Sequence, residues 1–379
     1  MNILIAPDSF KECLTANKVA KSIEKGINKI NPNHNIEKIP ISDGGEGSID
    51  FLKKNCDGKA IKHETENAIG NKILSEYFKF RNSKTAWVEL SQASGLALIE
   101  KKNRNPGLTS TYGTGLSINH AIKSGCSDII LSLGGSATND AGAGIIEALG
   151  GELLDGENKQ IKRGCESLIK IKQIKIPKNL NNIKFRVTYD VSNTLLGING
   201  ATKTYSRQKG ATLDQVESLE KSIFHFSQMI KKDLKIDITK VKGGGSAGGT
   251  AAGLYGLLGA KLTNGFKLIS RLINLENKIK LSDIIFTAEG KLDCQSLSGK
   301  APIQLAKLAK KHNKILICLA GSIEPPYEKF YRNGITAIFN IQNKPTSLYE
   351  SMKDAEKQIS DTSSRVFSFF EKIQECYSF

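Results

Sequence analysis

Three short segments put acidic groups beside lysine or glycine: Asp8-Ser9-Phe10-Lys11, Asp43-Gly44-Gly45-Glu46-Gly47 and Glu289-Gly290-Lys291-Leu292-Asp293-Cys294-Gln295. Each follows an apolar run and leads toward a helical pattern, where the first amides of a helix attract anions. Asp and Gly are also ordinary cap and turn residues, so any one loop has a structural explanation. Three of them at the carboxyl ends of parallel strands point to a ligand site. Two glycine-rich loops have the same character. Gly134-Gly135-Ser136-Ala137-Thr138-Asn139-Asp140 stands between a strand pattern and a helix pattern, and Gly243-Gly244-Gly245-Ser246-Ala247-Gly248-Gly249 contains G-x-G-x-x-G. Such loops can cradle phosphate with backbone N–H groups, or serve close packing of backbone.

Other chemistries are poorly represented. There is no G-x-x-x-x-G-K-[ST] run and no H-R-D or D-F-G set. The five histidines (His34, His63, His120, His225, His312) stand beside no Ser or Cys nucleophile in sequence, and the seven cysteines form no C-x-x-C. Asp, Lys and Gly-rich loops without a nucleophile–base pair are what phosphoryl transfer asks for: a phosphate cradle, neutralising Lys and Mg²⁺, and a hydroxyl held near a carboxylate.

The elements that must position these loops can be read from periodicity. Residues 2–6 predict a strand, and Val19, Ile23, Ile27 and Ile30 a helix capped by Thr15; 36–41 predicts a second strand before a helix with Ile49, Phe51 and Leu52. From about Cys56 the pattern changes. A strand pair is predicted at 71–80 and 85–90, strands at 128–133 and 183–191, and helices near 114–124, 140–149, 213–232 and 248–259. Simple alternation returns with strands at 284–287, 315–319 and 335–341, and a long final helix over 347–373 whose buried stripe includes Leu348, Met352, Ala355, Ile359, Val366 and Phe370. The expected fold is α/β: a discontinuous flavodoxin-like (Rossmann-like), doubly wound parallel-sheet domain, 1–56 plus 282–379, with a second α/β domain, 57–281, inserted.

Composition bounds the class. With 379 residues, 39% hydrophobic and 24% charged, the chain is ordinary globular material. No window approaches the ~20 apolar residues of a membrane span, and the first residues read as a strand, not a secretory signal. Scattered, odd-numbered cysteines fit reduced thiols in a cytoplasm. The net charge of +16 comes mostly from lysines spread along the chain, without the clustered arginines and interleaved aromatics of a nucleic-acid surface, so neither nucleic acid nor membrane is expected as a partner.

Ala6-Pro7-Asp8-Ser9-Phe10-Lys11, Asp43-Gly44-Gly45-Glu46-Gly47 and Gly134-Gly135-Ser136-Ala137-Thr138 together resemble the bacterial glycerate kinase family. The resemblance continues through Thr111-Tyr112-Gly113-Thr114-Gly115, Asp190-Val191-Ser192-Asn193, Gln208-Lys209-Gly210-Ala211, the 243–249 loop and Gly299-Lys300-Ala301-Pro302. It implies ATP-dependent, Mg²⁺-assisted phosphorylation of D-glycerate, with 2-phosphoglycerate the favoured product, on a two-domain α/β fold. At the matched positions Asp190 and Asp293 are candidates for metal binding or for accepting the hydroxyl proton, with Lys11 and Lys291 as catalytic cations. Asp8, Ser9, Asp43, Glu46, Asn193, Gln208, Lys209, Glu289, Gln295 and Lys300 are candidates for substrate binding. Gly134, Gly135, Ser136, Thr138, Asp140, Gly244, Gly245, Ser246 and Gly248 are candidates for nucleotide phosphates. The chain departs from the family pattern at Ala288, Lys291 and Ser296, where Gly, Arg and Thr are usual, and at Leu116, Tyr189 and Ser206-Arg207. Lys291 keeps the charge but loses arginine's planar fork. A kinase for another small hydroxy acid and a non-catalytic nucleotide-binding regulator are the alternatives.

Overall fold

The apolar run at the start of the chain forms the strand Asn2–Ile5, with Ile3, Leu4 and Ile5 buried, and Thr15 caps the helix Ala16–Asn28 by accepting from the Lys18 N–H. The structure is a computed structural model and describes residues 1–10, 13–41, 45–189, 192–297 and 300–377, the side chains of Gln295 and Tyr377 excepted. Contacts divide the chain into two compact units, Met1–Asp43 with Ser270–Phe379, and Gly44–Ile269. The first boundary falls before 56/57 because the helix Ser48–Asn55 packs on the strands Gly58–Glu66, Lys72–Phe80 and Thr85–Glu89 of the second unit, and the second falls before 281/282 because the helix Leu275–Leu281 packs on Asn2–Ile5 and on the helix Ala301–Lys311.

The first unit carries a five-stranded sheet in the order Asn35–Lys38, Asn2–Ile5, Ile284–Leu292, Ile315–Ile323, Ala337–Asn340, every neighbouring pair parallel. Side chains alternate across a strand. Ile3, Ile5, Ile284, Phe286, Ile317 and Leu319 therefore meet Val19, Ile23, Ile27, Ala355, Ile359 and Phe367 in one core, while the helix Ala301–Lys311 packs on the two central strands with Ile303, Leu305 and Ala306 buried. Each such side chain taken fully out of water contributes about 1.5–3 kcal/mol. Two expectations are corrected here. The central strand does not end at 287 but runs to Leu292, in register with Ile323, so Glu289 and Lys291 are strand residues and not loop residues. The final helical segment is two helices, Leu348–Lys353 and Ala355–Tyr377, and Leu348, expected in the buried stripe, is 75% exposed.

The second unit carries a six-stranded sheet in the order Lys261–Asn264, Lys184–Tyr189, Asp128–Ser132, Thr85–Glu89, Lys72–Phe80, Gly58–Glu66. The first four are mutually parallel, and the last two turn antiparallel. Gly58–Glu66 is an edge strand absent from the sequence expectation, its apolar pattern diluted by Lys59, Lys62, Glu64 and Glu66. Trp87, the single tryptophan, lies fully buried beneath the helix Ser48–Asn55 with its indole N–H donating to Ser48 Oγ at 2.8 Å. Among the described residues no helix is long and apolar enough to cross a membrane.

Candidate active site

In the first unit the acidic and basic candidates gather at the carboxyl end of the parallel sheet. The Asp8 amide donates to Ala288 O at 2.9 Å, and the Ser9 amide and hydroxyl both turn back to Asp8 Oδ1. One strand over, Glu289 is 5% exposed and pairs with Lys300, while its second oxygen, Oε2, is buried without a hydrogen-bond partner among the described residues. Burial pushes its carboxyl above the ordinary value, and the Lys300 ammonium pulls in the opposite direction.

Ser296 organises the turn that follows. Its amide donates to Asp293 Oδ1 at 3.2 Å, its hydroxyl to Lys291 O at 3.2 Å, and Lys300 Nζ reaches Ser296 Oγ at 3.4 Å. Lys291 Nζ lies 2.8 Å from Glu324 Oε1 and 3.7 Å from Asp293 Oδ2, and the Glu324 contact holds its ammonium above the ordinary value. Asp8, Ser9, Glu289, Lys291, Asp293 and Lys300 are thus brought together. Lys11, Asp43 and Asp190 lie outside the described residues, as does the Gln295 side chain.

In the second unit the loop at 134–140 is a strap tied along its length. Gly135, at φ +60°, packs on Glu46, so that a Cβ added there would fall 2.4 Å from Glu46 Oε2. Gly135 O accepts from the Leu96 amide, the Ala137 amide donates to Ser94 O, and Thr109 Oγ1 donates to Ala137 O. Lys209 is inside the protein, not at a surface: it is 2% exposed, and its Nζ donates to Thr138 O at 2.6 Å and to Ser136 Oγ at 2.8 Å. Burial pulls this amine down to about 7, against the opposing effect of Asp140. Asp140 is wholly buried. It accepts from the Thr111 amide and hydroxyl at 2.8 and 2.9 Å, from Gly144 N at 3.2 Å, from Gly142 N at 3.3 Å and from Ser110 Oγ at 3.4 Å. That set makes Asp140 the anchor of the strap's far end.

The glycines at 243–249 serve close packing. At Gly248, φ +64°, a Cβ would lie 2.1 Å from Thr138 O, so only glycine lets this loop lie against the strap. The Gly245 amide donates to Asn193 O, and Gly244 O and Ser246 O accept from the Ala252 and Ala251 amides. Those two first-turn N–H groups of the helix Thr250–Leu258 are therefore already paired. Asn193 ties its own loop, donating to Asn199 O and accepting from Tyr205 OH, and Gln208 is exposed. Thr138 Oγ1 and Ser246 Oγ are buried without partners in the described residues. The histidines are structural: His34 pairs with Glu371, His312 with Glu276, His225 with Ile171 O, and His63 and His120 stack against each other.

Sequence reasoning missed Glu89, at the end of the strand Thr85–Glu89 and 2% exposed. The available signal was an acidic residue closing an apolar strand, Trp87-Val88-Glu89, at the edge where ligands bind.

The sequence pattern of the glycerate kinase family matches residues 3–371. The chain belongs to the glycerate kinase family. It is 39% identical over 357 residues to a glycerate kinase of Halalkalibacterium halodurans, covering 93% of this chain and 94% of that relative. It is 38% identical over 362 residues, 95% of each chain, to the glycerate 2-kinase of Escherichia coli K12. A crystal structure of a Salmonella typhimurium LT2 protein provisionally described as glycerate kinase 2 superposes with a TM-score of 0.84 at 34% identity, covering 99% of both chains. Against the family pattern, Ala288 is a fully buried strand residue, and Ser296 still supplies the hydroxyl that ties the turn. The described residues of this family member form no group of three or more His, Cys, Asp or Glu that could hold a metal. Mg²⁺ that arrives on a nucleotide needs only one or two protein carboxylates, and Asp293, beside Glu289 and held at 3.7 Å from Lys291, fits that more modest demand.

Proposed function

We propose that the protein transfers the γ-phosphoryl group of ATP to the 2-hydroxyl of D-glycerate, giving 2-phosphoglycerate and ADP. The observation that carries this reading is the buried Glu289 carboxylate, with one oxygen on Lys300 and the other without a hydrogen-bond partner among the described residues, in a chain that matches a glycerate 2-kinase over nearly its whole length. In the reaction the substrate hydroxyl oxygen forms the new bond to phosphorus, the bond from phosphorus to the β-phosphate oxygen breaks, and the hydroxyl proton passes to a carboxylate. Glu289 suits that last role, since burial raises its carboxyl and makes it the better proton acceptor. Lys300 fixes the orientation of Glu289, and Lys291 and Lys11 supply positive charge for the substrate carboxylate or the phosphates. Asp293 would hold Mg²⁺, which when bound offsets phosphate charge. The strap at 134–140 and the loop at 243–249 are assigned to the nucleotide, and the buried Thr138 Oγ1 and Ser246 Oγ, without hydrogen-bond partners among the described residues, support this.

The strand order of the first unit, which is 2-1-3-4-5 when its own strands are numbered along the chain, supports a flavodoxin-like type, and we take the two units to be two domains. Seven unpaired thiols support a cytoplasmic setting. The test is an ADP-release assay with Mg-ATP and a panel of small hydroxy acids including both enantiomers of glycerate, with the phosphorylated carbon read by phosphorus NMR. Turnover confined to D-glycerate with phosphate on carbon 2 is the expected result. Turnover on a different acid, or nucleotide binding without turnover, would overturn it.

A further inference from the structure

Burying a carboxylate is costly unless its oxygens are given donors. Glu89 is 2% exposed and forms no ion pair among the described residues. Its Oε1 accepts from the Gly47 amide at 2.8 Å and from Ser91 Oγ at 2.7 Å, and its Oε2 accepts from Ser48 Oγ and the Ile49 amide, both at 3.1 Å. Three of the four donors, Gly47, Ser48 and Ile49, directly follow Glu46. Ser48 Oγ also meets Ser132 Oγ at 2.9 Å, at the end of the strand that feeds the strap.

The residues after Glu89 hold the strap itself. Ser94 O accepts from the Ala137 amide, the Leu96 amide donates to Gly135 O, Gly95 bridges Ser136, and Ser94 Oγ meets Thr114 Oγ1 at 2.8 Å. One short stretch, 89–96, therefore fastens the Glu46 loop, the strap at 134–137 and the start of the helix Tyr112–Lys123. An amide cannot replace the carboxylate here. Gln offers one accepting oxygen, and its Nε2, a donor, would face either the Gly47 or the Ile49 N–H.

We propose that Glu89 is a positioning residue of the phosphoryl-transfer site, whose carboxylate sets the Glu46 loop against the 134–137 strap. This rests on the assignment of those loops to substrate and nucleotide. The experiment compares wild type, Glu89→Gln and Leu180→Ala, the last a cavity in the core of the same unit, by kinetics well below the melting temperatures and by amide hydrogen exchange. Glu89→Gln is expected to lower kcat about ten- to a hundredfold, the size of losing charge-assisted hydrogen bonds, and to speed exchange about tenfold in peptides 45–49 and 134–137. Leu180→Ala is expected to lose stability with kcat within about twofold of wild type. Unchanged kcat in Glu89→Gln, or an equal loss in Leu180→Ala, overturns the proposal. If Glu89→Gln does not fold, Ser91→Ala keeps the carboxylate and removes one donor; about a threefold fall in kcat is expected, and no fall overturns the proposal. A wild type inactive on glycerate sinks the functional reading instead. Glu89 is then judged by calorimetric affinity for Mg-ATP, which should weaken about tenfold in Glu89→Gln, and unaltered affinity overturns the proposal.

Discussion

Asp140 and Glu289 are both carboxylates taken out of water, one in each unit, and they differ in what surrounds them. Asp140 is met by three backbone amides and two hydroxyls, all from its own unit. Glu289 is paired with a flexible lysine, with the Ser296 side chain acting on it as well, and its Oε2 has no hydrogen-bond partner among the described residues. A buried acid saturated by fixed donors has nothing left for a ligand, whereas one balanced by a movable cation can exchange that partner during a reaction. Lys209 and Lys300 repeat the contrast: the first is locked onto Ser136 and Thr138 in the interior, while the second keeps a side chain 31% exposed.

The sharpest way to break this comparison is Glu289→Gln. It should lower kcat by about a hundred- to ten-thousandfold, the range for a lost acid–base group, with a melting temperature at or above that of wild type. A turnover loss below tenfold would return Glu289 to a packing role. Lys300→Met removes the cation that pulls the Glu289 carboxyl down, so the acidic limb of the kcat/KM profile should move to higher pH, with a loss of about ten- to a hundredfold at neutral pH. An unshifted limb would show that another group sets it.

Asp140→Asn should act in the opposite sense, costing about 2–4 kcal/mol of stability through unsatisfied donors while the folded fraction keeps KM and kcat within a fewfold. Denaturant melts alongside kinetics separate the two effects. The smallest effect concerns pH. Lys209 is depressed from 10.5 to about 7 in the folded chain, so between those values the unfolded state binds the extra proton. Its contribution to stability should therefore rise as pH climbs from about 7 toward 10 and stay level below 7. The melting-temperature difference, wild type minus Lys209→Met, should grow from pH 7 to pH 9; a difference that shrinks would contradict the buried, neutral amine.

The sequence made the first unit legible because its three inner strands, Asn2–Ile5, Ile284–Leu292 and Ile315–Ile323, are largely buried and read as apolar runs, and because Asp8 and Asp293 follow such strands. Glu289 and Lys291 were placed in a loop because polar residues and Gly290 hide the last turn of pairing with Ile315–Ile323. In the second unit, local pattern was a weaker guide. Lys209 sits in an ordinary polar turn, and its burial follows from the strap folding over it. Glu89 looks like a solvated strand end, and the four donors that claim it come from residues 47–49 and 91, gathered only by tertiary structure. The 243–249 glycines were readable as important but not as packing devices, since the oxygen that forbids a Cβ at 248 belongs to Thr138.

The strand Asn2–Ile5 lies between Asn35–Lys38 and Ile284–Leu292, so one of its edges is zipped to residues made almost three hundred positions later. During synthesis at about 5–20 residues per second, that strand waits roughly 15–60 s with one long edge unpaired. The second unit, which is encoded in between, has all its strands available before then. The strand Asn2–Ile5 therefore carries an aggregation-prone edge for that interval, and a chaperone that shields Ile3, Leu4 and Ile5 would raise the yield of native protein more than one acting after release.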